Sequence, residues 1–317
     1  MTELPAPDAA TTWTPPHPTA VALTLARMRR GRPDPTHRTL APPGPVEPDV
    51  APLWRTTLTD DGPATMLLTQ ADLHTVTCRA WGPGARAAVD SAPALCGAED
   101  DPTGFRPAHP LLDELHRRHP GLRVPRSRRV LEALIPAVVE QRVVGVDATA
   151  GWRRLVHAFG TPAPGPAPAG MRVVPTPAAW AAIPTWEWHR AGIDPGRART
   201  VVACARLARR LESVAALDPA EADARLRAVP GVGAWTAAEV AQRALGDADA
   251  LSLGDHHLAG VVGHVLFGRD LDDAGLVTAL APWRPHRYRV VRLLQAAGHE
   301  TRPRRGPRPP GAAHRRR

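Results

Sequence analysis

At 317 residues with 43% hydrophobic content, the chain is long enough for two domains and apolar enough to fill their cores. Its net charge of +9 comes from arginine alone, since lysine and asparagine are both absent; a GC-rich coding bias gives that pattern, so it points only weakly to an anionic partner. No run of about 20 apolar residues allows a membrane span, and the widely spaced Cys78, Cys96 and Cys204 exclude a disulfide framework or CxxC metal site.

Residues 1–18 are rich in proline and threonine, neither basic nor apolar enough for a signal peptide, and read as disordered. Residues 19–105 read as short strands. ALTLA alternates, ATMLLT is a compact apolar run, and TVTCRAW sets Val76, Cys78 and Ala80 on one face. The Pro-rich linker Leu40–Pro52 interrupts them, and GPG at 82–84 and GAEDDPTG at 97–104 signal turns. Beyond residue 106 the periodicity is helical: Arg126–Val143 carries Val130, Leu131, Leu134, Ile135, Val138 and Val139 at the helical repeat. Asp147–Phe159 forms a second helix, followed by the loop TPAPGPAPAG. Thr176-Pro177, Asp194-Pro195 and Asp218-Pro219 each start a helix, because the side-chain oxygen satisfies an orphan backbone N–H and proline has none to lose. Residues 301–317 form an Arg/Pro-rich tail expected to be unfolded. The fold class is therefore α+β: a β-rich N-terminal domain over 19–105 and an all-helical domain over 106–300.

One helical pattern ends over Glu221–Ala228, breaks at VPGVG, and restarts over Trp235–Leu245. Two glycines allow positive φ and close approach of another backbone. Unpaired N–H groups where the helix restarts favour an anion such as phosphate. On the glycines alone, an ordinary helix connection explains the break equally well.

The continuation adds more. Residues 229–258 read VPGVGAWTAAEVAQRALGDADALSLGDHHL and resemble the helix-hairpin-helix DNA glycosylase superfamily. Its hairpin appears as Pro230, Gly231, Val232 and Gly233, its helix start as Thr236-Ala237, and its distal aspartate as Asp255-His256-His257-Leu258. Upstream, LRVPRSRRVLEALIPAVVEQRVVGVDATAGWRRLVHAFG, PTPAAWAAI and AGIDPGRARTVVACARLA look like the helices of AlkA-type 3-methyladenine glycosylases. APWRPHRYRVVRLL looks like their closing helix. The resemblance runs from about Arg123 to Leu294, and that group carries a β-rich N-terminal domain.

The resemblance implies roles. Asp255 would be the catalytic carboxylate, although Asp after Gly is also a common helix cap. Trp235 stands where strand-nicking relatives carry a Schiff-base lysine, so lysine-dependent lyase chemistry is not expected. Its ring either stacks on an extruded base or fills the core. Trp186, Trp188 and Trp283 are further base-pocket candidates, with core burial as the alternative. Pro230, Gly231, Val232, Gly233 and Thr236 would grip DNA. Gln141, Arg142 and Val143 would supply the wedge, Arg142 matching the position of its leucine and departing from the apolar pattern. His256 and His257 lack partners at zinc-ligand spacing, and His257 reads as structural. Arg287, Arg289 and Arg292 are candidate phosphate contacts, or simply a solvated face. No iron–sulfur cluster or other cofactor is expected. A monovalent cation on the hairpin carbonyls is implied by resemblance alone.

The expected function is a monofunctional glycosylase that flips out and hydrolytically excises alkylated bases, 3-methyladenine and related purines, from damaged double-stranded DNA. A monomer in the nucleoid-containing cytoplasm is the matching expectation. A glycosylase for another lesion class and a non-catalytic DNA-binding protein are the alternatives.

Overall fold

The computed structural model describes residues 4–39, 51–141 and 145–300, the side chains of 145–148 excepted. An antiparallel sheet is built from β1 (Ala9–Trp13), β2 (His37–Thr39), β3 (Leu53–Thr59), β4 (Gly62–Asp72) and β5 (Thr75–Trp81), in the order β1-β5-β4-β3-β2. Between β1 and β2 runs α1 (Val21–Leu25), and α2 (Ala85–Leu95) follows β5. The sheet is covered on both faces. Met66, Leu68, Val76, Cys78 and Ala80 pack on α2, whereas Leu67, Trp54 and Trp81 pack on Met171 from a later loop. Two buried faces leave no reason for polar alternation, so β4 reads as a compact apolar run.

Two expectations for this region need correction. Residues 4–18 are ordered, and β1 pairs with β5 from Ala9↔Ala80 to Trp13↔Val76. Threonine and tryptophan favour strands, and the neighbouring prolines fall outside the paired segment. ALTLA is helical: Val21, Thr24 and Leu25 are buried at i, i+3 and i+4, a spacing that so short a stretch shares with alternation.

The helical part comprises α3 (Pro110–Arg118), α4 (Val130–Glu140), α5 (Gly145–Phe159), α6 (Pro177–Ala182), α7 (Thr185–Arg190), α8 (Pro195–Arg206), α9 (Ala208–Glu212), α10 (Pro219–Arg227), α11 (Ala234–Val240), α12 (Leu258–Phe267), α13 (Asp273–Leu280) and α14 (Arg287–Ala296). The short pair β6 (Thr161–Pro162) and β7 (Arg172–Val173) lies between α5 and α6. All three anticipated caps form. Thr176 accepts from the N–H of Ala179, Asp194 from Gly196 and Arg197, and Asp218 from Ala220 and Glu221.

Helix α4 is the axis of this part. Each of its residues except Glu132 and Glu140 is buried, in a core shared with Trp152, Trp180, Trp188, Val201, Leu226 and Val240. A second core joins α3, α12, α13 and α14 through Leu112, Val262, Leu276, Leu280 and Leu293. Glu132 fastens α4 to the sheet, accepting from Thr57 Oγ1 at 2.6 Å, the Leu58 N–H at 2.8 Å and the Arg55 guanidinium at 3.0 Å. No helix among the described residues is long and apolar enough to cross a membrane.

Candidate active site

The hairpin between α10 and α11 inserts Val229 and Val232 into the core and leaves Pro230, Gly231, Gly233 and Ala234 exposed. Its two glycines are required for different reasons. Gly231 has φ +89°, and a Cβ there would sit 2.1 Å from Thr200 Oγ1. Gly233 has an extended backbone, φ −96° and ψ −178°, and a Cβ there would meet no atom within 4 Å. The fold itself thus demands Gly231, while nothing inside the protein demands Gly233. Gln141, at the C-terminal end of α4, donates to the Gly231 carbonyl at 2.9 Å and to Thr236 Oγ1 at 2.7 Å, tying α4 to the hairpin.

Helix α11 continues into a wider turn over Ala241–Leu245 and stops at Gly246, φ +75°. The loop that follows leads to Asp255 at the head of α12. Asp255 Oδ1 accepts the backbone N–H groups of His257 at 2.8 Å and Leu258 at 2.9 Å. Its other oxygen, Oδ2, lies 3.4 Å from the indole Nε1–H of Trp235. Asp255 and Trp235 are both half-buried. The carboxylate is therefore anchored firmly through one oxygen, while the second accepts only the longer contact from the indole N–H beside the exposed hairpin.

Behind this pair lies a polar cluster that sequence reasoning missed. The buried Glu239 accepts from Ser252 Oγ at 2.7 Å and pairs with Arg243 at 2.8 Å. Burial opposes ionisation of Glu239, yet Arg243, Arg27 and Arg30 outweigh it and hold its carboxyl below the ordinary value of 4.5. Gln242 donates to Ser252 Oγ at 2.9 Å and to the Ala250 carbonyl at 3.0 Å. The available signal was an i,i+4 Glu/Arg pair on an otherwise apolar helix.

Several proposed residues stand elsewhere. Trp188 is buried, stacks on Trp180 with ring centroids 6.0 Å apart, and donates to the Ile183 carbonyl. Trp283 is buried in the second core and donates to the Pro107 carbonyl at 2.6 Å. Neither core ring offers a face to an extruded base, and Trp186 is 65% exposed on α7. Arg142 and Val143 lie outside the described residues. The rings of His256 and His257 are exposed, edge to face at 4.7 Å, so His257 serves the site through its backbone N–H rather than a buried imidazole. The arginines of α14 are not a solvated phosphate-binding face. Arg289 forms a buried fork on Asp100 at 2.6 and 2.9 Å, Arg287 a fork on Asp249 at 2.7 and 2.8 Å, and the buried Arg292 donates to the Leu23 carbonyl. Among the described residues no group of three or more His, Cys, Asp or Glu is placed to hold a metal.

No protein-family model matches the chain. Over 196 residues it is 34% identical to a Mycobacterium tuberculosis protein described as a probable bifunctional transcriptional activator/DNA repair enzyme AlkA. The match covers 59% of this chain and 37% of that relative, so the chain corresponds to little more than a third of the longer protein. Among solved structures, a 3-methyladenine DNA glycosylase from Archaeoglobus fulgidus superposes with a TM-score of 0.71 at 17% identity, covering 91% of this chain and 98% of its own. An 8-oxoguanine glycosylase/lyase from Clostridium acetobutylicum gives 0.67 at 10% identity, covering 93% and 99%. At such identities these structures establish the fold, and it spans both parts of the molecule. The chain thus shares the fold of these glycosylases and, over 59% of its length, sequence similarity to a relative described as a DNA repair enzyme AlkA.

Proposed function

We propose that this protein is a monofunctional DNA glycosylase that extrudes an alkylated purine, 3-methyladenine or a close relative, and hydrolyses its N-glycosidic bond. The observation that carries the reading is Asp255: a carboxylate anchored by two backbone N–H groups through one oxygen, with the other facing Trp235 beside a glycine hairpin.

The chemistry follows from charge. As the C1′–N bond breaks, the base leaves with the bonding electrons and the deoxyribose acquires oxocarbenium character. A fixed anion next to C1′ stabilises that charge with little reorganisation, and removal of such a group costs about 100-fold or more in rate. Water then adds to C1′, and the carboxylate can accept its proton. The Trp235 ring suits a cationic alkylated base, with cation–π attraction of about 0.5–2 kcal/mol. The chain contains no lysine, and tryptophan stands where lyase relatives carry one, which supports hydrolysis without lysine-dependent strand cleavage.

The hairpin is the proposed grip on the phosphates of double-stranded DNA, with Gly233 leaving room for the backbone. A monovalent cation is part of this proposal. The Val229 and Gly231 carbonyls each accept one hydrogen bond and keep a second lone pair, an oxygen-only set that suits a hard cation. Bound there, it would add positive charge toward a phosphate. A monomer working on cytoplasmic, nucleoid DNA completes the reading. The fold shared with an 8-oxoguanine glycosylase/lyase makes an oxidised base the second candidate substrate.

The test uses methylated, oxidised and undamaged duplexes with wild type and Asp255→Asn. Wild type is expected to release 3-methyladenine and leave the strand intact until alkali is added; Asp255→Asn should bind but release nothing. Release of 8-oxoguanine alone would move the assignment to the second substrate. Binding of all duplexes with no base release would overturn the enzymatic reading.

A further inference from the structure

The loop that carries Asp255 is gripped at two heights by one face of α11. Trp235 and Glu239 are one turn apart on that helix, so their side chains share a face. Trp235 reaches the Asp255 carboxylate with its indole N–H, at 3.4 Å. Glu239 reaches Ser252 Oγ at 2.7 Å, and the Ser252 carbonyl in turn accepts the Asp255 N–H at 3.2 Å. Gln242 adds its amide to the same Ser252 hydroxyl and to the Ala250 carbonyl. From the other side, Asp273 accepts the Gly254 N–H at 2.8 Å. Ser252, Glu239 and Gln242 are all buried.

We propose that Glu239, acting through the Ser252 hydroxyl, is a positioning residue for Asp255, and that α11 thereby holds the carboxylate in register with the hairpin at its own N-terminal end. This rests on the glycosylase reading above and adds to it a group that touches neither base nor sugar. Asp255 Oδ1 is fixed to α12, but the height of the loop relative to α11, and hence the Oδ2–Trp235 contact, is set by the Ser252 turn. A buried hydroxyl there has one strong acceptor, the Glu239 carboxylate, whose charge is sustained by Arg243. Without that acceptor the hydroxyl has no partner for its proton, and the turn keeps only the neutral Gln242 amide to hold it against the end of the helix. A displacement of about 1 Å at a reacting group costs on the order of 100-fold in rate. The hairpin does not depend on this clasp, because Gln141, Thr200 and the buried Val229 and Val232 hold it independently.

The experiment measures single-turnover base release, affinity for a duplex with an uncleavable abasic analogue, and hydrogen exchange of the segment 250–258. It uses wild type, Ser252→Ala, Ser252→Thr and Glu239→Gln. Ser252→Ala is expected to slow base release by about 100-fold while affinity changes by less than about threefold, and to raise exchange in 250–258 but not in the hairpin. Ser252→Thr, which keeps the hydroxyl, should recover most of the rate. Glu239→Gln, which keeps an acceptor but loses the charge, should fall between. If Ser252→Ala does not fold, the ordering of Ser252→Thr and Glu239→Gln in rate against affinity carries the same test. An unchanged rate, or rate and affinity falling together, would overturn the proposal. A wild type that releases no base would instead overturn the glycosylase reading, and exchange in 250–258 would still decide whether the clasp exists.

Discussion

Alanine at the two hairpin glycines should separate folding from DNA binding. At Gly231 the backbone has φ +89°, where a side chain costs about 1–2 kcal/mol. The added Cβ would also lie 2.1 Å from Thr200 Oγ1 and 3.1 Å from Thr200 Cβ, an overpacking of about 1–3 kcal/mol. Gly231→Ala should therefore destabilise the protein by about 2–5 kcal/mol. With an unfolding entropy near 0.7 kcal/mol/K for a chain of this length, that lowers Tm by about 3–8 °C. Pairing it with Thr200→Ala removes the nearer contact and should recover at least about 1 kcal/mol as a coupling energy. At Gly233 the same substitution meets open space on an extended backbone, so stability should stay level or rise by about 0.4–1 kcal/mol. Its effect should appear in affinity for a duplex with an abasic analogue, weakened by about tenfold, or 1.4 kcal/mol. Thermal melting and fluorescence anisotropy on both single variants and the double variant provide the readouts. A Gly231→Ala protein that melts like wild type, or a Gly233→Ala protein that binds DNA like wild type, would refute the division of labour between the two residues.

Other outcomes can be checked directly. Removing either partner of the buried Asp100–Arg289 fork should cost about 3–5 kcal/mol by denaturant unfolding, and the double substitution less than the sum of the two. The carboxyl of Glu239 is held below its ordinary value of 4.5, so its contribution to stability is fully present above that pH and is lost as pH falls through the lower folded value; Glu239→Gln should flatten that part of the acid-unfolding profile. Burial raises the Cys204 thiol to about 12, so thiol reagents at neutral pH should label it only when the protein unfolds. Gln141→Ala removes both ties to the hairpin and should weaken DNA binding more than it lowers Tm, measured on the same preparation.

What was legible in the sequence was what is locally encoded. The caps at Thr176, Asp194 and Asp218 involve an oxygen and an N–H two or three residues apart, so their residue types announce them. The turn at the hairpin and the cap formed by Asp255 were legible for a similar reason, because each is set by residues close together in the chain. The fates of Trp188, Trp283 and Arg289 were not. Whether a ring is core or pocket depends on what lies across from it, and Arg289 finds Asp100 from 189 positions away. The Glu239–Ser252 contact falls between these cases: 13 residues separate the partners, and only the path of the intervening loop brings them together. Strand β1 was missed because proline-rich flanks outweighed five residues of strand-forming composition. Its ordering comes from β5, whose edge it completes.

Gln141 carries a mechanical consequence. It joins the end of α4 to the hairpin through the Gly231 carbonyl and to the start of α11 through the Thr236 hydroxyl. On the proposed function, one of these elements probes the base stack and the other grips phosphate. Tied to each other in this way, they would act as the jaws of a calliper, with a gap that resists adjusting to the duplex. Intact DNA would have to deform to fit that gap, while a damaged pair that opens readily would fit at little cost. The first discrimination between damaged and sound DNA would then be a measurement of stiffness, made before any base reaches Asp255.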